Sequence, residues 1–184
     1  MKHIPIIFST PMVQAIRDGR KTQTRRVVKA RSYISDIEDG VPYEMTEDDS
    51  QPIKCPYGQP GDVIWVRETF AHTSQLNINP EDENYGYVYK ADGQPWEDCE
   101  GWKWKPSIFM PREACRLFLR IKSVRVERLQ EITCQDVLAE GMDSGHSPYF
   151  ITLWQSIHGH ESWKANPWVW VIEFDPISRE EAGE

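Results

Sequence analysis

The sequence predicts an α+β fold: a small mixed or antiparallel β-barrel, plugged by a short N-terminal helix and two further helices. Three observations carry this expectation. Its apolar segments run in the order strand, helix, strand, long strands, two short helices, strand, which is not a βαβ repeat. Residues 115–128, CRLFLRIKSVRVER, alternate with a period of two, as a half-buried strand does. Finally, no G-x-G-x-x-G or G-K-[ST] loop is present, so a phosphate cradle of the mononucleotide kind is absent.

With 184 residues, 39% hydrophobic and 27% charged, the chain reads as one domain able to bury a core without disulfides or metals. Residues 3–8, HIPIIF, form a first strand. A helix follows over STPMVQAIRDG: Thr10 is placed to cap it, Pro11 suits the first helical position, and Met12, Val13, Ala15 and Ile16 make its apolar side. Gly19 stands where a left-handed residue ends a helix. Residues 21–28 continue as a strand with Val27 and Val28 turned inward. Residues 31–54 carry seven acids and no base between Ser32 and Ile53, and with Gly40 and Pro42 they read as a mobile acidic loop.

The turn cluster CPYGQPGD at 55–62 launches a buried strand over 63–70. Arg67 and Glu68 at its end are either an ion pair or the rim of a pocket. Residues 71–105 read as an insertion. Alternating Tyr85, Tyr87 and Tyr89 suggest a short strand there, and Trp96, Trp102 and Trp104 suit a small satellite core better than a base-stacking surface. In the strand over 115–128, Leu117, Leu119 and Ile121 face one way, and Arg116, Phe118, Arg120 and Lys122 the other. Thr133 caps a helix over 134–139 that ends at Glu140 and Gly141. A second helix covers 149–157, a closing strand buried on both faces covers 168–174, and 176–184 is a frayed tail.

A net charge of −8 argues at first against nucleic acid, but the charge is unevenly distributed. Residues 1–32 hold eight Lys and Arg against Asp18, and residues 105–128 hold seven against Glu113 and Glu127. If these segments meet, they make a basic face on an acidic protein. The start of the chain leads directly into a helix cap, with no signal-peptide pattern, and no apolar run approaches the roughly 20 residues of a membrane span. A cytoplasmic protein with reduced cysteines is expected. Neither the cysteine spacing nor the five scattered His supports a metal site, and no cofactor is expected.

The chemistry-bearing residues concentrate after Gly19. A Thr24 hydroxyl becomes a nucleophile if a base stands beside it, and Lys21, made neutral by desolvation and by Arg20, Arg25 and Arg26, can be that base. Lys21 and Thr24 fall on opposite sides of a regular strand, so Lys21 needs its long stem, or a twist just after Gly19, to reach Thr24. Glu140 is the best candidate for a partner carboxylate.

Gly19, Lys21, Thr24 and Arg26 spell G-x-K-x-x-T-x-R after a short helix. In this the chain resembles the ASCH domain of the PUA-like superfamily, in a form found largely in phages and prophages. The resemblance extends over CPYGQPGDVIWVRETF, KPSIFMPR, VERLQEIT with the following AEGM, LWQSIHG and NPWVWVIEF. It implies a PUA-like barrel that binds RNA, DNA or a modified nucleoside. A small-protein branch of the family removes the acetyl group from N4-acetylcytidine with a Lys, Thr and Glu set, which corresponds here to Lys21, Thr24 and Glu140. Arg20, Arg25, Arg26, Arg67, Glu68, Arg116 and Arg120 are then the expected contacts to substrate or nucleic acid. A non-catalytic binding module and a single-strand ribonuclease are the alternatives.

Overall fold

The computed structural model describes residues 1–30, 34–38, 40–45, 49–76, 78–83, 85–93 and 102–184. Ten strands and three α-helices follow one another among them. They are β1 (His3–Ile7), α1 (Thr10–Arg17), β2 (Gln23–Val27), β3 (Ile34–Glu38), β4 (Val41–Met45), β5 (Ser50–Pro52), β6 (Val63–Arg67), β7 (Phe70–His72), β8 (Tyr87–Tyr89), β9 (Phe118–Arg128), α2 (Cys134–Ala139), α3 (Ser147–His158) and β10 (Trp168–Ile177). The α+β class is as expected.

The main sheet has the order β1-β6-β9-β10-β2, with β1 and β6 parallel and the other pairs antiparallel. Among the described residues no sheet closes into a barrel. Closure would need a ladder between the edge strands β1 and β2. The contact there is instead a side chain, the Arg26 guanidinium donating to the Ile7 carbonyl at 2.9 Å, since α1 and its exit turn separate the two strands in sequence.

Packing on the two faces of this sheet follows from strand alternation. One face gathers Phe8, Val13, Ile16, Ile64, Leu119, Ile121, Trp170 and Ile172 beneath α1. The other gathers Val169 and Val171 with Leu129, Val137, Phe150 and Trp154 beneath α2 and α3. The expected division of β9 into an apolar and a basic face fails at Phe118, which is fully buried in a further cluster with Val63, Phe70, Met110 and Ala182. That cluster also holds the C-terminus. Residues 176–184 do not fray: Ala182 is buried, Arg179 donates to the Cys115 carbonyl at 2.5 Å, and Arg112 pairs with Glu184.

The acidic segment is also more regular than its composition suggests. β3, β4 and β5 form an antiparallel sheet, with Gly40 at φ +76° between β3 and β4. Pro42 sits inside β4, where its carbonyl still accepts from Ile53 N–H at 2.7 Å. Within the expected loop of 31–54, the described residues 34–38, 41–45 and 50–52 are therefore strands, and 31–33, 39 and 46–48 lie outside the described residues. In the 71–105 segment, β7 and β8 pair, and Trp102 and Trp104 meet edge to face with ring centroids 5.2 Å apart. Trp96, Cys99 and Arg31 lie outside the described residues.

Helix signals in the sequence are mostly confirmed. Gly19 adopts φ +72° after α1, although the cap residue is Ser9 rather than Thr10 and no side chain caps that end. At α2, Thr133 accepts from Asp136 N–H while the Asp136 carboxylate accepts from Thr133 N–H, a reciprocal capping box. Among the described residues no helix is long and apolar enough to cross a membrane.

Candidate functional site

Lys21 leaves the regular pattern before β2 begins. Its N–H bonds back to Ala15 O at 3.0 Å, and it forms an isolated antiparallel bridge with Glu140, secured by Thr22 N–H donating to Ala139 O at 2.8 Å. A residue 119 positions away is thereby set against it: Lys21 Nζ donates to Glu140 Oε2 at 2.7 Å and to the Glu140 carbonyl at 3.0 Å.

Close approach of these two chain segments depends on Gly141. It has φ +91°, and a Cβ there would lie 2.9 Å from both the Ala15 Cβ and the Lys21 Cβ. Only a residue without a side chain lets the end of α2 settle against the exit of α1.

Both members of the pair are buried, Lys21 at 1% exposure and Glu140 at 6%. Burial pulls the Lys21 amine below its ordinary pKa. Glu140 opposes that shift, while Arg26 and Arg25 add to it. Glu140 serves a second cation as well, with Arg25 Nη1 donating to its Oε1 at 3.1 Å. Arg25 also donates to Glu127 at 2.5 Å and stands 3.4 Å from Asp136. Neither of these two acids was singled out in the sequence, although Asp136 carries a legible signal as the fourth residue of the Thr133 cap.

Thr24 is buried opposite Ile172, on the Phe8 side of the sheet, whereas Arg25 is opposite Val171 and faces α2. Lys21 stands between the two sides, its Nζ 5.8 Å from the Phe8 ring centroid. Arg26 also covers Phe8, at 5.3 Å, and burial pulls its guanidinium below its ordinary pKa.

A cleft of 540 Å³ opens beside the pair. Its walls include Met12 and Ala15 of α1, Glu140 to Ser144 after α2, Tyr149 and Leu153 of α3, and Arg20. Arg20 is held in this wall by Gly141 O at 2.8 Å and by Asp18 and Asp143. Thus Glu140 faces the cleft, while Lys21 and Thr24 stand behind it rather than on its wall.

The remaining expected contacts lie elsewhere. Glu68 is buried and pairs not with its neighbour Arg67 but with Arg116, through two bonds of 2.9 and 3.0 Å. Arg116 also meets Asp92, which in turn meets Arg17 of α1. Arg67 donates to the Ile108 carbonyl, and Arg120 to the Glu181 carbonyl. The two basic segments do approach each other around β10, but acids meet the cations there, most of them supplied by other elements. Lys122 pairs with Asp175, and Arg125 with Glu127, Asp136 and Glu173.

Asp136 links the cap to the site and makes the fold sensitive to acid. Its burial works against ionisation, but bonds from the Thr133 hydroxyl and N–H, from Gln23, and the nearby Arg25 outweigh that and hold its carboxyl well below the usual carboxylate range. An unfolded aspartate titrates near about 3.9. Stability from Asp136 is therefore complete above that value and lost as the pH falls through the depressed folded value. Urea unfolding followed from neutral pH into acid should fall more steeply for the wild type than for Asp136→Asn; parallel curves would contradict this role.

No protein-family model matches the chain, and no curated protein matches it. Among solved structures, the chain is similar to protein EF3133 from Enterococcus faecalis V583, described by the family model DUF984. The identity is 9% and the TM-score 0.45, covering 97% of this chain and 82% of that one. A likeness at that level carries no argument about function.

Proposed function

We propose that the protein is an ASCH-type, PUA-like hydrolase that binds a modified nucleoside in the cleft and removes the acyl group of an N4-acylated cytidine at the Lys21–Glu140 pair. The observation that supports this reading is the buried contact of 2.7 Å between Lys21 Nζ and Glu140 Oε2, at the wall of a 540 Å³ cleft. That volume lies within the range of small-molecule sites, about 300–1,000 Å³.

Transfer of the shared proton from Nζ to Oε2 leaves Lys21 a neutral amine and Glu140 a carboxylic acid, the two forms that amide hydrolysis needs. Thr24 stands behind the cleft wall, so the acyl group must pass the Glu140 side chain to reach it. Lys21 then takes the Thr24 hydroxyl proton as Oγ1 attacks the acyl carbonyl carbon, and the carbonyl electron pair moves onto oxygen. Collapse breaks the C–N bond, and Glu140 gives its proton to the departing N4. Water hydrolyses the resulting Thr24 ester, which releases the carboxylic acid and restores the hydroxyl. Arg20, in the cleft wall, contacts a polar edge of the nucleoside.

A strand of RNA or DNA is the weaker alternative, because phosphate binding needs free cations, and Lys122 and Arg125 of β9 and Arg116 just before it are engaged by acids. Incubation with N4-acetylcytidine should yield cytidine and acetate, and Lys21→Ala, Thr24→Val and Glu140→Gln should each slow turnover by about 10²–10⁴-fold. No turnover by the wild type, or full turnover by Lys21→Ala, overturns the assignment. Salt-dependent retention of single-stranded RNA or DNA, without turnover and unchanged by Thr24→Val, would replace it with a binding module. Cleavage of that RNA would indicate a ribonuclease.

A further inference from the structure

We infer that a narrow recess behind Glu140 is a subsite for one acceptor oxygen of the ligand, gripped by the indole N–H of Trp154 and the Nε–H of Arg25. This rests on the hydrolase reading and assigns the acyl oxygen its place.

The recess adjoins the cleft, sharing Met12, Glu140 and Leu153 as walls; Arg25, Arg26, Trp154 and His158 also line it, with Phe150 and Ile157 as its further apolar walls. Its volume is 20 Å³, room for about one water-sized group. No nucleobase fits, but a single oxygen does. Trp154 is 4% exposed and Arg25 2%, and neither Trp154 Nε1 nor Arg25 Nε has a hydrogen-bond partner. Buried donors left unpaired are costly, so two of them on residues that line one oxygen-sized space mark a place for an acceptor. Both donors sit on rigid elements. Arg25 is held in β2 by Glu127 and Glu140, and Trp154 is braced in α3 by His158, its ring stacked at 4.1 Å.

The chemistry suits an acyl oxygen better than a neutral hydroxyl. Both groups only donate, and Arg25 and Arg26 bring positive charge to walls that they share with Glu140, whose carboxyl is neutral in the proposed reaction once it has taken the Lys21 proton. As Thr24 attacks, the carbonyl π pair becomes a lone pair on that oxygen. Fixed donors then stabilise the charge as it develops, without any rearrangement. Trp154 is in this way a catalytic residue of the proposed reaction.

Trp154→Phe tests this, since it keeps a ring in place and deletes only the donor end. In N4-acetylcytidine hydrolysis, kcat should fall about 100-fold with KM little changed. Trp168→Phe, at a tryptophan away from the recess, should leave both constants as they are. In ¹⁵N-tryptophan-labelled wild type, the indole resonance missing from Trp154→Phe should move downfield when N4-acetylcytidine is added. Normal turnover by Trp154→Phe, together with an unmoved resonance, overturns the subsite and leaves the recess to a water. If the wild type shows no turnover, the hydrolase reading fails separately: a moved resonance still upholds the subsite, and an unmoved one removes both. If Trp154→Phe does not fold, Arg25→Lys keeps the charge without the Nε donor and decides the kinetic arm.

Discussion

Glu140→Ala should destabilise the protein by about 3–5 kcal/mol, the usual cost of breaking a buried ion pair from one side. The carboxylate accepts from Lys21 at 2.7 Å and from Arg25 at 3.1 Å, so its removal leaves two buried cations facing an apolar methyl group. Arg25 keeps Glu127 and Asp136, whereas Lys21 keeps only the Glu140 backbone carbonyl among its recorded acceptors. Lys21→Met should cost clearly less, because Glu140 then retains Arg25. Equal losses for the two variants in urea unfolding would refute this division of labour.

Glu140→Ala also carries a pH signature. With the carboxylate gone, burial and the two arginines act unopposed on the Lys21 amine, and its folded pKa stays below the ordinary lysine value of about 10.4. Between those two values the unfolded chain holds a proton that the folded chain lacks. The variant's stability should therefore rise with pH across that window. A flat profile would show that Lys21 has found another acceptor.

The second large effect is expected at a residue with no functional group. Gly141→Ala must place a Cβ 2.9 Å from the side chains of Ala15 and Lys21, on a backbone at φ +91°. Backbone strain and overpacking of about 1–3 kcal/mol each act together here. Relief requires the end of α2 to move away from the exit of α1, which parts Glu140 from Lys21. Hydrogen exchange should report this at the Thr22 amide, whose bond to Ala139 O joins the two segments. Undiminished protection of Thr22 with unchanged stability would show that the close approach is dispensable. Under the proposed function, turnover falls in this variant although no side chain of the Lys, Thr and Glu set has been altered.

The same glycine illustrates how the site could be read in part from the sequence. Gly19 and Gly141 were visible as helix stops, and Glu140 as the last residue before one of them, because chain reversal at positive φ is a local requirement with a local residue preference. The burial of Lys21 was not visible. It depends on α1, α2 and the lead into β2 converging, and residues 119 apart show no shared period. Arg25 is a similar case. It reads as one cation among several after Gly19, yet it is among the most deeply buried large side chains, because Glu127, Asp136 and Glu140 come together around it. Charge density along the chain overstated the basic face for that reason: Arg25, Arg116 and Arg125 were counted without the acids that other strands and helices supply. In the opposite direction, the acids of 34–52 hid a three-stranded sheet, because composition reports solvation and not the backbone pairing of adjacent short strands.

By itself, then, the sequence determined what one turn or one strand can decide: the α+β class, the start and stop of the helices, the alternation of β9, the doubly buried β10, and the small set after Gly19 from which Lys21 emerged. Tertiary structure alone decided that the sheet stays open, that Glu140 divides itself between Lys21 and Arg25, that Thr24 stands behind the cleft, and that Trp154 and Arg25 border an oxygen-sized recess. The division is physical. Caps, turns and periodicity are energies between near neighbours in the chain, whereas burial and ion pairing are energies between segments that only the folded chain brings together.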